Sequence, residues 1–180
     1  MAAFTVIDHT EATGLTASFE ETGISGSYDH LYMVASVRSD IAATSDTVWL
    51  QLNGEGANFY SMTSLQGASG GPFAGRTSTG TAAYQQAWVD IARVNGNTST
   101  ADTFGMVTMW LPHYSNTANF KQAVVTSYSE GASTTISRLR LGAGLFHSTA
   151  AITEVKLSPY NLANDWMEFS TFTLYGVTGA

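Results

Sequence analysis

The stretch HLYMVASVR, His30 to Arg38, places Leu31, Met33, Ala35 and Val37 on one side and Tyr32, Val34, Ser36 and Arg38 on the other. A period of two residues belongs to a β-strand with one face on a core. VWLQLN repeats the pattern, with Val48, Leu50 and Leu52 opposite Trp49, Gln51 and Asn53. The NGEGAN that begins at Asn53-Gly54 supplies turn chemistry, and FYSMTSLQ then resumes an extended run, so a hairpin is expected here. GMVTMWLPHY, FKQAVVTSYSE, ISRLRLGAGLF, AITEVKLSPY and FSTFTLYGV are further β-rich runs, separated by Asn, Gly, Pro and Ser clusters. Many short strands in one small domain predict a β-sandwich or barrel. Two segments stand apart. TAAYQQAWVDIARV sets Tyr84, Ala87, Trp88 and Ile91 at helical spacing, yet Trp88, Val89, Ile91 and Val94 are β-prone and Asn95-Gly96 follows as a turn, so helix and strand both stay open. GASGGPFAGRTSTGT, residues 67–81, reads as a long exposed loop.

Composition bounds what such a chain can do. At 180 residues and 19.1 kDa it fits one domain, 1–180, that buries about 70% of its unfolded surface. With 44% apolar residues it cannot be a solvated disordered chain. Only 12% of residues are charged, against about 25% in typical soluble domains, which leaves a surface of Thr, Ser, Asn, Gln and Gly that packs cheaply against protein. Seven scattered Lys and Arg against fourteen Asp and Glu form no stripe that could neutralise several phosphates, which argues against nucleic-acid binding. The absence of Cys excludes disulfides and thiol chemistry. MAAFTVIDHT lacks a basic segment and a long apolar run, and nowhere do about 20 apolar residues follow one another. The reading is therefore a protein made and used without Sec export and without a membrane partner.

Constellations for chemistry are weak. GASGGP, Gly67 to Pro72, resembles the nucleophile motif of chymotrypsin-like serine proteases. That family orders its triad His, Asp, Ser, so Ser69 would have to use His9 or His30 with Asp29, Asp40 or Asp46, too early in the chain for a double barrel, and Ala68 stands where an acidic residue is usual. Glycoside hydrolysis needs two facing carboxylates. Glu20 and Glu21 point to opposite faces, and Glu55, Glu130, Glu154 and Glu168 are isolated. His9, His30, His113 and His147 show no metal-ligand spacing, and Asn161, Asn164 and Asp165 read as turn residues before they read as calcium ligands. Asn97-Thr98-Ser99 matches a glycosylation sequon, without meaning unless the chain is secreted. No catalytic residue, metal or cofactor is expected. Trp49, Trp88, Trp110 and Trp166 suit a core or subunit interface, or alternatively a platform for sugars.

Tyr28-Asp29-His30-Leu31, Arg38-Ser39, Asn53-Gly54, Tyr60-Ser61 and Leu174-Tyr175-Gly176-Val177 together resemble, nearly end to end, the small β-jelly-roll virion structural proteins of tailed bacteriophages. A Tyr-Asp-His-Leu strand, Tyr28 to Leu31, leads to Arg38-Ser39, then to the Asn53-Gly54 turn and the Tyr60-Ser61 strand. Phe104-Gly105 leads on to Tyr114, and AITEVKLSPY and the closing FSTFTLYGV follow, with Leu174-Tyr175-Gly176-Val177 the best-matched piece. The chain departs from the pattern at Phe169, where a Gly is usual, and in the inserted Pro112-His113.

The resemblance implies an all-β fold, a jelly-roll β-sandwich of two antiparallel sheets, and a non-enzymatic capsid cement or decoration protein. Such a protein forms homotrimers on the outer surface of the capsid, where it bridges capsomers of the major capsid protein. A carbohydrate- or receptor-binding module of a tail fibre, spike or head ornament is the alternative. Candidate partner-interface residues are Phe4, Val6 and Ile7, in an N-terminal segment (1–14) that could be an arm adding to a neighbour's sheet edge or an ordinary first strand. Phe73 and Arg76 in the glycine-rich segment complete the set.

Overall fold

In the computed structural model the described residues are 3–56, 59–68, 71–77, 89–131 and 137–179, with the backbone alone for 76, 77 and 161. They form twelve strands: β1 Ala3–Glu11, β2 Phe19–Thr22, β3 His30–Val37, β4 Ser45–Leu52, β5 Tyr60–Ala68, β6 Gly71–Thr77, β7 Val89–Asn95, β8 Gly105–Pro112, β9 Lys121–Ser129, β10 Arg138–Phe146, β11 Glu154–Pro159 and β12 Thr171–Thr178. A single 3₁₀ turn, Tyr160–Leu162, follows β11.

The strands make an all-β sandwich of two antiparallel sheets, one of eight strands in the order β1-β12-β3-β8-β9-β10-β5-β6, the other of four in the order β2-β11-β4-β7. Four nested ladders organise it: β1 pairs with β12, β2 with β11, β3 with β8 and β4 with β7. The first member of each pair alternates between the sheets, so this double ribbon rolls on itself and is closed by β12 on β3 and β11 on β4. Strands β5, β6, β9 and β10 widen the large sheet beyond the small one.

The alternation read from the sequence is the alternation of burial. Leu31, Met33, Ala35 and Val37 of β3, and Val48, Leu50 and Leu52 of β4, lie in the core between the sheets. Trp166 joins them, stacked on Phe19 at 6.3 Å, with its indole N–H donated to the Leu157 carbonyl. Two motifs that carry the resemblance meet here. The Tyr28 ring lies over Gly176 so closely that a Cβ there would come within 2.3 Å of it.

Two expectations change. β4 and β5 do not form a hairpin, because they belong to different sheets. The Asn53-Gly54 turn exists, with both residues at positive φ and Glu55 N–H donating to Leu52 C=O. The Asn53 backbone N–H, however, bonds Glu154 C=O, and its side chain bonds Ala151, Thr153 and Glu154, so the chain is held along β11 rather than turned back on β4. The long loop expected over 67–81 is in part strand: β5 runs to Ala68 and pairs with β6 from Met62↔Thr77 to Ala68↔Gly71. Glycine and serine show no alternation, but a backbone ladder needs only N–H and C=O groups, and Pro72 is tolerated because β6 is an edge. Ser69 and residues 78–81 lie outside the described residues. Of the two readings of the N-terminal segment, Ala3–Glu11 takes the ordinary one, the first strand of its own sheet, with a register shift between Val6 and Asp8. The open choice at 81–94 resolves to strand from Val89 onward, while 81–88, with Tyr84 and Trp88, lies outside the described residues.

Candidate functional site

The outer face of the eight-stranded sheet collects the side chains that a soluble sandwich would ordinarily keep polar. At its β1 end a row of rings runs across four strands. Phe4 meets Tyr32 edge-on at 5.8 Å and Tyr175 at 6.1 Å; Tyr32 lies 6.1 Å from Trp110, and Trp110 lies 5.1 Å from His30. His30 packs on His113 at 5.0 Å, and its ring nitrogen accepts the His113 backbone N–H. The rings meet mostly edge-on or tilted, so they cover one another's faces in part.

At the other end polarity is inverted. In β10 the RLRL run buries Arg140, 4% exposed, toward the small sheet, while Leu139 and Leu141 stand outward at 59% and 51%. Register sets Leu141 beside Thr126 of β9 and Leu65 of β5, and Leu139 beside Tyr128 and Gly67. Leu65, Val124 and Tyr128 are exposed like the two leucines. On the inward row Ser127, Arg140 and Gln66 stand in register instead. The Arg140 guanidinium donates to the Asp90 carboxylate of β7 at 2.6 Å, which makes the inward charge tolerable and ties the two sheets together. Lys121 is buried too, with its ammonium on the Asn119 and Thr149 carbonyls, and burial lowers its pKa.

Of the residues expected at a partner interface, Phe4 and Val6 are exposed on this outer face at β1, and Ile7 is half-buried and packs against the core. Phe73 is exposed on β6, in register with Gln66, hence on the other side of the sheet, where its ring lies over Gly75. The Arg76 backbone pairs with Thr63 of β5. The structure does not bring the two groups together: β1 and β6 are opposite edges, about 34 Å apart at about 4.8 Å per strand. The leucine face at β9, β10 and β5 was not among the expected residues. Its signal was present in the alternating RLRL, but alternation does not say which face is the core.

The residues weighed for chemistry are scattered. His9 bonds the Thr173 hydroxyl on the outer face, and Glu20 pairs with Lys156 at 2.8 Å. Asp165 and Asp40 exchange bonds, the Asp165 N–H donating to the Asp40 carboxylate and the Asp40 N–H to the Asp165 carbonyl. Asn164 reaches Asp46 at 3.5 Å. These are contacts of a folded turn, and no group of three His, Asp or Glu able to hold a metal occurs among the described residues. The apolar cavity between the sheets, lined by Leu50, Tyr60, Ile91, Leu111 and Phe146, holds about 20 Å³, room for roughly one water, whereas ligand pockets run from about 300 Å³.

Arg38, from the Arg-Ser pair of the sequence motif, is a structural anchor. Its guanidinium donates to four backbone carbonyls, of Asn97, Ser99, Thr100 and Thr103, and so folds the loop between β7 and β8 around one side chain.

No family model matches the chain, and no curated protein sequence does. Among solved structures, alginate lyase Aly36B is similar at 8% identity over 95% of this chain and 79% of that one, with a TM-score of 0.25, a level at which the likeness carries no argument.

Proposed function

We propose that the protein is a non-enzymatic structural component of a tailed-phage virion, a capsid cement protein whose trimers bridge capsomers of the major capsid protein from the outer surface. The observation that carries the reading is the broad outer face of the large sheet, with exposed apolar side chains at both ends and almost no charge, on a chain whose charged fraction is only 12%. Such a face suits burial against protein. The nested pairs β1:β12, β2:β11, β3:β8 and β4:β7 fit a jelly roll into which the β5–β6 and β9–β10 pairs are inserted. The mechanism is multivalency: three weak contacts held rigidly in one trimer gain about 10² to 10⁴ in avidity, so one capsid subunit cannot leave without breaking several at once.

The test is sedimentation of expanded phage heads with the purified protein at micromolar concentration. Co-sedimentation at a fixed stoichiometry, with heads that resist higher temperature, is the expected result, and absence of binding overturns the reading. The ring row from Phe4 to Trp110 favours a second reading, a carbohydrate-binding module on the virion. Specific hits on a glycan array, together with failure to bind heads, would establish it in place of the first.

A further inference from the structure

We infer that the cleft between the β7–β8 loop and the turn before β12 docks a basic segment of a partner protein, seating a Lys or Arg side chain against Phe104 and Phe169 with its charge on Asp102 and Glu168. That the partner is the major capsid protein rests on the proposed function; the cleft and the chemistry it takes do not.

Phe169 is the residue that leads there. Its backbone stands at φ 69°, a left-handed conformation that strains a bulky side chain, and its ring is 63% exposed, so neither backbone preference nor packing within the chain accounts for it. Position 169 is also where the chain departs from the motif it otherwise resembles, with Phe in place of Gly. Beside the ring opens a cleft of about 390 Å³, within the range of ligand sites, walled by Asp102 and Phe104 of the loop and by Met167, Glu168 and Phe169. Both walls are fixed on Arg38. Its guanidinium holds the loop by four carbonyls, its C=O accepts the Met167 N–H at 2.8 Å, and its N–H and C=O both bond the Ser170 hydroxyl. The cleft is therefore formed before a partner arrives, and little ordering entropy remains to be lost on binding.

The lining selects the occupant. Phe and Met are enriched where proteins meet. Asp102 and Glu168 are exposed, and neither carboxylate has a hydrogen-bond or ion-pair partner among the described residues. Arg38 beneath them is 5% exposed and turned to its carbonyls, so the mouth is acidic on a chain that already carries −7. Nucleic-acid phosphates and anionic lipids are repelled, whereas a cation on an aliphatic stem gains both the rings and the carboxylates. A second copy is poorly furnished to supply that cation. Arg38, Lys121 and Arg140 are buried, Lys156 pairs with Glu20, and Arg93 lies 3.8 Å from Asp90, which accounts for five of the seven Lys and Arg. Charge complementarity thus points to a different protein.

The experiment is an NMR titration of the labelled full chain with a tri-arginine peptide, and with tri-glutamate as control, read at Phe104, Met167 and Phe169. Saturating shifts at these residues with tri-arginine alone are expected. They should vanish in Asp102→Asn with Glu168→Gln, and the affinity should fall about tenfold in Phe169→Gly. Asn tolerates the φ of 59° at position 102 and Gly relieves the strain at 169, so both variants should melt no lower than wild type. No shift, or shifts spread over the chain's other acids, overturns the inference, as does a Phe169→Gly that melts lower and binds unchanged.

Sedimentation with expanded phage heads then separates this inference from the cement reading. Heads that bind wild type and lose Phe169→Gly support both. Equal binding of the two overturns the cleft while the cement reading stands. Wild type that takes tri-arginine in the cleft but leaves heads unbound overturns the cement reading, and the cleft then serves another basic protein. A wild-type oligomer that Phe169→Gly disperses, by light scattering, puts a second copy in the cleft and overturns the inference.

Discussion

One hydroxyl in the core serves two backbone groups. The Tyr60 OH accepts the Leu52 N–H at 2.9 Å and donates to the Leu52 C=O at 3.1 Å, joining β5 of the large sheet to the end of β4 in the small one. Burial pushes its pKa up, so the donor stays protonated through the neutral range. Tyr60→Phe keeps the ring on Phe146 but strands the Leu52 N–H, while the Leu52 C=O keeps the Glu55 N–H, and should cost about 1–3 kcal/mol in urea denaturation. A neutral outcome would mean that water reaches Leu52. Asp46, buried at 2% exposure, works in the opposite sense. Burial raises its pKa, and this outweighs the Thr47 N–H and the Arg93 charge that favour the carboxylate. Between the ordinary carboxylate value and the raised one the folded chain keeps a proton that the unfolded chain has lost, so this residue's contribution to stability falls as pH rises through that window. At neutral pH the full cost is present. Asp46→Asn should therefore be more stable than wild type at pH 7, with an advantage that shrinks as pH is lowered toward 4. Denaturation at the two pH values checks it, and a less stable variant at pH 7 would show that the carboxylate's hydrogen bonds outweigh its burial.

Strand β10 departs most from what its residue types suggest. In RLRL the hydrophobic effect alone would turn the leucines inward, yet β10 turns Arg140 inward onto Asp90 of β7. The strand can do so because the pair is short and lies at the edge of the small sheet, where Asp90 keeps 19% of its side chain exposed. Removing one partner leaves the other charge buried alone, so Asp90→Ala should cost about 3–5 kcal/mol. Replacing both, Asp90→Leu with Arg140→Met, should recover most of that loss, because the site then holds neither charge. A double-mutant cycle by urea denaturation measures the coupling, and additive losses would mean that the two sheets are held elsewhere. At this scale the sequence was informative about strands and weak about their partners. The runs from His30 and Val48 and the five downstream runs all became strands, because each period-two pattern is a local property. The β4 to β5 hairpin did not form, since the Asn53 side chain found its partners on β11, about a hundred residues away. In residues 67–81 small residues hid a strand that only the free edge of β5 could call into being.

Across the whole molecule, one all-β layer pair was legible in the sequence, and so was the low charge that suits assembly. The candidate interface was legible only at its β1 end. Phe4 and Val6 stand out in sequence as apolar residues near the terminus, whereas Leu65, Val124, Tyr128, Leu139 and Leu141 are spread over 77 positions and gather only through the β9-β10-β5 register. What the chain determined by itself is the strand content, the core side of β3 and β4, the turn at Asn53-Gly54 and the lack of thiol chemistry, each of which depends on residue type and nearest neighbours. Tertiary structure decided which sheet each strand joined, which face of β10 is the inside, and that one Arg38 side chain would hold four carbonyls of a distant loop. The alternation of β10 carries two faces but no label for the core. That label comes only from what packs against it, here the Asp90 carboxylate on one side of β10 and an unpaired row of leucines on the other.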